Sequence, residues 1–190
     1  MKNKQHDTYF SYLKTRRVSG IIYRKYWLYP VLSSFLRGHV LDVGCGIGDF
    51  VAFRPNTIGA DVNPHNVSYG VDIGLDVRLI DEDTLLPFEA SQFDGVILDN
   101  VLEHIAQPYP LLGEIARVMS DTAILIVGVP GRKGYTRDPD HKVFYSDSAL
   151  VSTLDKAGFH CERLFYMPFR FPWFDRLLPQ CCLYGVFRRL

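Results

Sequence analysis

What this chain lacks is a charge of one prevailing sign: 21 Lys and Arg balance 21 Asp and Glu over 190 residues. The whole-chain charge therefore nominates no polyanionic or polycationic partner. Long apolar runs are missing as well. The longest, such as Ala123 to Val127, fall far short of the roughly 20 residues that cross a bilayer, so no membrane span is expected. Cysteine is scarce. Cys45, Cys161, Cys181 and Cys182 show neither C-x-x-C pairing nor zinc-finger spacing, and no metal ligands are assigned. With no recognisable signal peptide, the expected compartment is a reducing cytoplasm. Internal repeats and low-complexity tracts are absent too.

What is present is enough apolar matter for one core. With 47% hydrophobic residues, the chain is long enough for a single substantial domain, read as residues 1–190, and too short for two ordinary ones. Its neutrality hides segregation. Residues 1–37 carry eight basic side chains against one acid, residues 38–130 three against fourteen, and residues 131–190 ten against six. Basic ends flank an acidic middle.

Residues 40–50, Val-Leu-Asp-Val-Gly-Cys-Gly-Ile-Gly-Asp-Phe, are the most informative stretch. An apolar strand runs into a turn carrying Gly44, Gly46 and Gly48, and glycine lets a ligand approach the main chain closely. A dinucleotide fold would place its third glycine at position 49, under a pyrophosphate. Asp49 stands there, and its carboxylate would repel a diphosphate while tolerating a ligand with positive charge.

The remaining pattern alternates strand and helix. Strands are expected at 40–43, 57–61, 77–80, 95–98, 123–127, 161–166 and 183–187. Helices are expected after Gly48, at 64–69, at 111–119 and from Ser146 to Gly158, the last with a capping serine and a terminal glycine. Residues 9–36 read as helical segments interrupted near Gly20 and stopped at Pro30 before a second short helix. Alternation of this kind implies a parallel sheet covered on both faces.

The spacing Asp42-x-Gly44-x-Gly46-x-Gly48, followed by Asp61, Leu86-Pro87-Phe88 and Asp99-Asn100-Val-Leu-Glu103-His104, resembles the ordered motifs of class I S-adenosylmethionine-dependent methyltransferases. The resemblance runs from about Val40 to Gly158. It implies an α/β, Rossmann-like fold: a mostly parallel seven-stranded sheet, helices on both faces and a C-terminal antiparallel hairpin. Residues 167–180, rich in Phe, Trp and Arg, would then be an insertion in that hairpin, and residues 1–37 a helical lid. The first crossover helix is about one turn short of the usual pattern.

Site residues follow from the same resemblance. Asp61, with Val62 beside it, falls where the family binds the ribose hydroxyls, and one carboxylate can receive two neighbouring donors; the alternative is a helix cap. Asp42 falls where the family holds the cofactor's amino group, directly or through water, and the alternative is an acid satisfied by its own glycine turn. For the adenine amino group, alignment on Leu86-Pro87-Phe88 selects Glu82, with Asp81 and Asp83 as rivals. Asn100 joins the cofactor set because ligands of open α/β sheets sit beyond the carboxyl ends of the strands. His104 and His141 are the candidates for removing a proton from the acceptor. A packed helix-start residue and a solvated loop residue are their respective alternatives.

The implied activity is methyl transfer from S-adenosyl-L-methionine to a small-molecule or saccharide acceptor, at a hydroxyl or amine, by in-line displacement. The layout resembles bacterial methyltransferases linked to surface polysaccharide assembly. No Asp/Asn-Pro-Pro-Tyr/Phe sequence follows the fourth strand and no Pro-Cys dipeptide occurs, which disfavours nucleic-acid bases. Two alternatives are a lipid-quinone acceptor, with peripheral contact at the inner face of a membrane, and a non-catalytic cofactor-binding module regulating a partner.

Overall fold

The computed structural model describes residues 18–81, 85–169 and 181–190. Its first element is a single helical stretch in three parts: α1 (Val18–Tyr23), a wide π-turn (Arg24–Leu28) and α2 (Tyr29–Ser33). Gly20 does not interrupt it. Pro30 stands in the first turn of α2, where its missing N–H is tolerated. The Tyr29 N–H reaches back five residues to the Arg24 carbonyl. The expected stop at Pro30 is thus replaced by a local widening of the helix, a feature often found at functional sites.

Seven strands follow: β1 (Val40–Val43), β2 (Thr57–Asp61), β3 (Val77–Leu79), β4 (Phe93–Asp99), β5 (Met119–Pro130), β6 (Phe159–Met167) and β7 (Cys182–Arg189). They form one sheet in the order β3-β2-β1-β4-β5-β7-β6. β1 to β5 run parallel, while β7 pairs antiparallel with both β5 and β6. The expected mostly parallel sheet with an antiparallel end is therefore observed. Between the strands lie α3 (Asp49–Phe53), α4 (Pro64–Asp72), a 3-10 turn (Leu102–His104), α5 (Tyr109–Val118), α6 (Arg132–Tyr135) and α7 (Asp147–Lys156).

Strand alternation divides the core between the two faces of the sheet. Val96 and Leu98 of β4, with Leu125 and Val127 of β5, join Leu112, Ile115, Leu150 and Leu154 of α5 and α7. The intervening Ile97, Ile124 and Ile126 meet Leu28, Tyr29, Leu32 and Phe50 on the other face. Burying each large apolar side chain contributes about 1.5–3 kcal/mol, so the helix at residues 18–33 is fastened to the sheet chiefly through Leu28, Tyr29 and Leu32.

Short polar devices set the ends of the elements. Ser146 caps α7 by accepting the Ala149 N–H at 3.2 Å, and Asn63 caps α4 by accepting that of His65. Arg117 donates to the carbonyls of Leu86 and Phe88, and Glu114 accepts the Leu86 N–H. Those bonds pin the Leu86-Pro87-Phe88 segment beneath β4.

Candidate functional site

The cleft lies at the carboxyl ends of β1 and β4, where a parallel sheet presents ligand-binding loops. It is open and is lined by residues that include Asp42, Gly44, Gly46, Asp49, Asp99 and Asn100. The N-terminal helix contributes Arg24 and Tyr29 to its wall, two residues joined by the π-turn.

The turn after β1 is built for close approach. Gly44, Gly46 and Gly48 have φ of 74°, 56° and 83°, in the left-handed region that favours glycine. A Cβ on Gly44 would sit 2.4 Å from the Val101 side chain, and one on Gly48 would sit 2.6 Å from Leu75. Sterics therefore require both glycines, apart from any ligand.

Asp61 closes this turn from β2. It is buried, and its carboxylate accepts the N–H of Gly46 at 2.7 Å, the N–H of Asn63 at 2.8 Å and the side-chain amide of Asn66 at 3.2 Å. Helix capping of α4 falls to Asn63, so the alternative of Asp61 as the cap residue is replaced by a role in holding the turn. Val62 is exposed beside it, and Asp81 is exposed just beyond β3. Glu82 and Asp83 lie outside the described residues, as do Trp173 and the other aromatic residues of the insertion beyond Phe169.

Asp42 is buried on the cleft wall. Burial, reinforced by the charges of Asp99, Asp61 and Asp49, holds its carboxyl well above the ordinary carboxylate range. No hydrogen-bond donor reaches it among the described residues, so the alternative of an acid satisfied by its own turn is not observed. A buried polar group in that condition is costly, and a cationic donor from a ligand would relieve it.

Asp99 carries the opposite wall. One carboxylate oxygen meets Arg24 at 3.1 Å, and the other accepts the Tyr184 hydroxyl at 2.7 Å and the Asn100 side-chain amide at 2.9 Å. The Tyr184 ring lies over Gly128, where any Cβ would come within 2.3 Å of it. Asn100 itself has φ of 58°, a backbone state asparagine tolerates. Arg24, Tyr29 and Tyr184 had no motif to mark them in the sequence. Only the bulk and basicity of residues 9–36 hinted at a surface meeting the sheet.

His104 and His141, separated by 37 positions, come together with ring centroids 4.7 Å apart. Glu103 lies against them, its Oε1 3.8 Å from His141 Nε2. The main chain fixes this meeting, because the N–H groups of Lys142 and Val143 both donate to the Glu103 carbonyl. Burial pushes the Glu103 carboxyl up to about 8 and lowers His104, which the neighbouring His141 lowers further. The two candidate histidines thus adjoin each other, and Glu103 is the neighbour that spacing did not select.

A glycine turn after β1, an acid ending β2 and a 3-2-1-4-5-7-6 sheet are together the arrangement of the class I S-adenosylmethionine-dependent methyltransferase fold. Residues 41–127 match the family described as "Methyltransferase domain". Two Methanocaldococcus jannaschii proteins are similar, MJ1123 at 27% identity over 61% of this chain and MJ0638 at 34% over 58%. The chain spans 58% and 50% of their lengths. Among solved structures, a SAM-dependent methyltransferase from Aquifex aeolicus has 19% identity and a TM-score of 0.66, covering 93% of this chain and 100% of that one. A chain from the complex of the Haloferax volcanii Trm112 methyltransferase activator with a methyltransferase reaches a TM-score of 0.71 at 17% identity, covering 95% and 96%. Both likenesses establish the fold. S-adenosylmethionine is the cofactor expected of it.

Proposed function

We propose that the protein transfers a methyl group from S-adenosyl-L-methionine to a small-molecule or saccharide acceptor, at a hydroxyl or amine. The observation that carries this reading is Asp42, a buried carboxyl on the cleft wall that no hydrogen-bond donor reaches among the described residues. It suits the ligand's ammonium, while Arg24, paired with Asp99, also lines the cleft. Gly44, Gly46 and Gly48 admit the ligand to the main chain. Asp61, Val62, Asp81 and Glu82 would take the nucleoside, with Asp61 also stiffening the turn, and Asn100 would bound the reacting end.

The ligand supplies an activated methyl group on a good leaving group. The chain's own work is alignment and exclusion of water. Arg24 and Tyr29 of the N-terminal helix close one side of the cleft, which favours a lid role for residues 1–37. His104 and His141, which adjoin each other after β4, are our candidates for taking the acceptor's proton.

One observation favours a lipid-borne acceptor as a second reading. Val18, Ile21, Ile22 and Tyr26 are exposed along the N-terminal helix, and Trp27 packs edge-on against exposed Phe169 at 5.8 Å. Such a face suits the edge of a membrane from the cytoplasmic side; among the described residues no helix is long and apolar enough to cross one.

A single experiment separates these readings. Purified protein is incubated with methyl-labelled S-adenosylmethionine and a cell extract, which is then partitioned between water and organic solvent. Label in a water-soluble product is the expected result, and Asp42→Asn should reduce it at donor concentrations that just saturate the wild type. Label in the organic phase would favour the lipid acceptor. Tight calorimetric binding of the nucleoside with no transfer to any fraction would leave the regulatory module.

A further inference from the structure

We propose that Glu103, His104 and His141 form a binding site for one divalent transition-metal cation, of the Zn²⁺ or Fe²⁺ kind. Three side chains from two separate segments each present a ligand atom, and these atoms all lie within 4.8 Å of one another. Two metal–ligand bonds of about 2.1 Å span at most about 4.2 Å, so small side-chain rotations bring the three donors onto a common centre.

The strongest argument is the state of Glu103. Its residue is fully buried, yet neither carboxylate oxygen has a hydrogen-bond partner among the described residues. Buried polar groups are ordinarily satisfied, and an orphaned carboxyl calls for a proton or a cation. Two imidazoles facing it make a cation the better match.

The imidazoles are also held as metal ligands are held. His141 Nδ1 lies 2.8 Å from the Tyr135 carbonyl, so that nitrogen carries the proton and Nε2, the atom nearest Glu103, keeps its lone pair. His104 is hydrogen-bonded to the Asp140 backbone. Histidine ligands commonly give their second nitrogen to a carbonyl in this way, fixing the tautomer. Asp138, its Oδ2 3.9 Å from His141 Nε2, adds a second anion at the rim. Two imidazoles and one carboxylate favour first-row transition metals over Mg²⁺ or Ca²⁺, which prefer all-oxygen shells.

Three protein ligands leave coordination positions open. On the methyl-transfer reading of the adjoining cleft, an acceptor hydroxyl would fill one and, acidified by the cation, lose its proton to solvent, in place of direct proton removal by the two histidines. The binding itself does not depend on that reading, and its test uses no nucleoside.

Chelator-stripped full-length protein is titrated with Zn²⁺ in competition with a chromophoric chelator, and with Co²⁺ followed by its visible absorption. One equivalent per chain is expected. His141→Ala and Glu103→Gln should each weaken binding at least roughly 100-fold, the upper end of what losing even an outer-shell partner costs. His160→Ala, an exposed histidine away from the cluster, should leave it unchanged. If Glu103→Gln fails to fold, His141→Ala with native circular dichroism decides. Wild-type affinity no tighter than that of His141→Ala, or zinc binding that survives both substitutions, would overturn the site in favour of a protonated Glu103 in a dry pocket.

Discussion

At the scale of single residues, the cleft is a place where carboxyl groups are kept in different states by their neighbours. Asp99 is surrounded by donors, whereas Asp42 has none and is held toward its neutral form. The sign of the consequence follows from proton counting. In the unfolded chain Asp42 ionises near pH 4, while the folded chain keeps its proton to higher pH. Across that interval the folded state binds more protons, so this residue subtracts stability as pH rises toward the folded pKa. Without ligand, Asp42→Asn is expected to be more stable than wild type at pH 7.5, by about 1–3 kcal/mol, the scale of an unsatisfied buried polar group. The difference should close as pH falls toward about 4. Urea denaturation at several pH values checks it, and parallel profiles for the two proteins would refute it. The same substitution should weaken S-adenosylmethionine roughly 10- to 100-fold, as befits loss of a hydrogen bond to a charged group.

At the scale of elements, glycine separates positions fixed by packing from positions that are free. Gly128 in β5 faces Tyr184, and an added Cβ would overlap the ring that donates to Asp99. Gly113 in α5 meets nothing within 4 Å. Gly128→Ala should therefore cost about 1–3 kcal/mol through overpacking, and Gly113→Ala should gain about 0.5–1 kcal/mol from helix propensity. Equal effects in chemical denaturation would show that Tyr184 is not held as described. This contrast also explains what the sequence disclosed. β1 and β2 matched their expected bounds because each is a short apolar run stopped by a turn residue. β5 was underestimated, since Ser120, Asp121 and Thr122 continue the strand with polar side chains that carry no apolar signal. The N-terminal helix was misjudged because a π-turn absorbs Pro30, and nothing in composition announces that accommodation. Asp42 and the glycines were legible through local spacing. Arg24, Tyr184 and the meeting of Glu103 with His141 were not, because each depends on residues brought together from distant positions by the sheet order.

At the scale of the whole molecule, charge segregation gains a physical meaning once the topology is known. The acidic middle, residues 38–130, supplies β1 to β5 and with them Asp42, Asp49, Asp61 and Asp99 around the cleft. Within the described part of the basic N-terminal segment, Arg24 is paired with Asp99. The field at the cleft is therefore negative beyond its local pairs, and it favours a ligand bearing a sulfonium as well as an ammonium. Loss of the methyl group turns the sulfonium into a neutral thioether, so the demethylated nucleoside carries one positive charge fewer while keeping every other contact. Raising ionic strength from about 0.01 M to 1 M shortens the screening length from about 30 Å to 3 Å. Binding of S-adenosylmethionine should consequently weaken more steeply with salt than binding of its demethylated product. Calorimetry of both nucleosides across that range reads the two slopes. Identical slopes would mean that the acidic middle does not act on the sulfonium, and that discrimination between donor and product rests on contact with the methyl group alone.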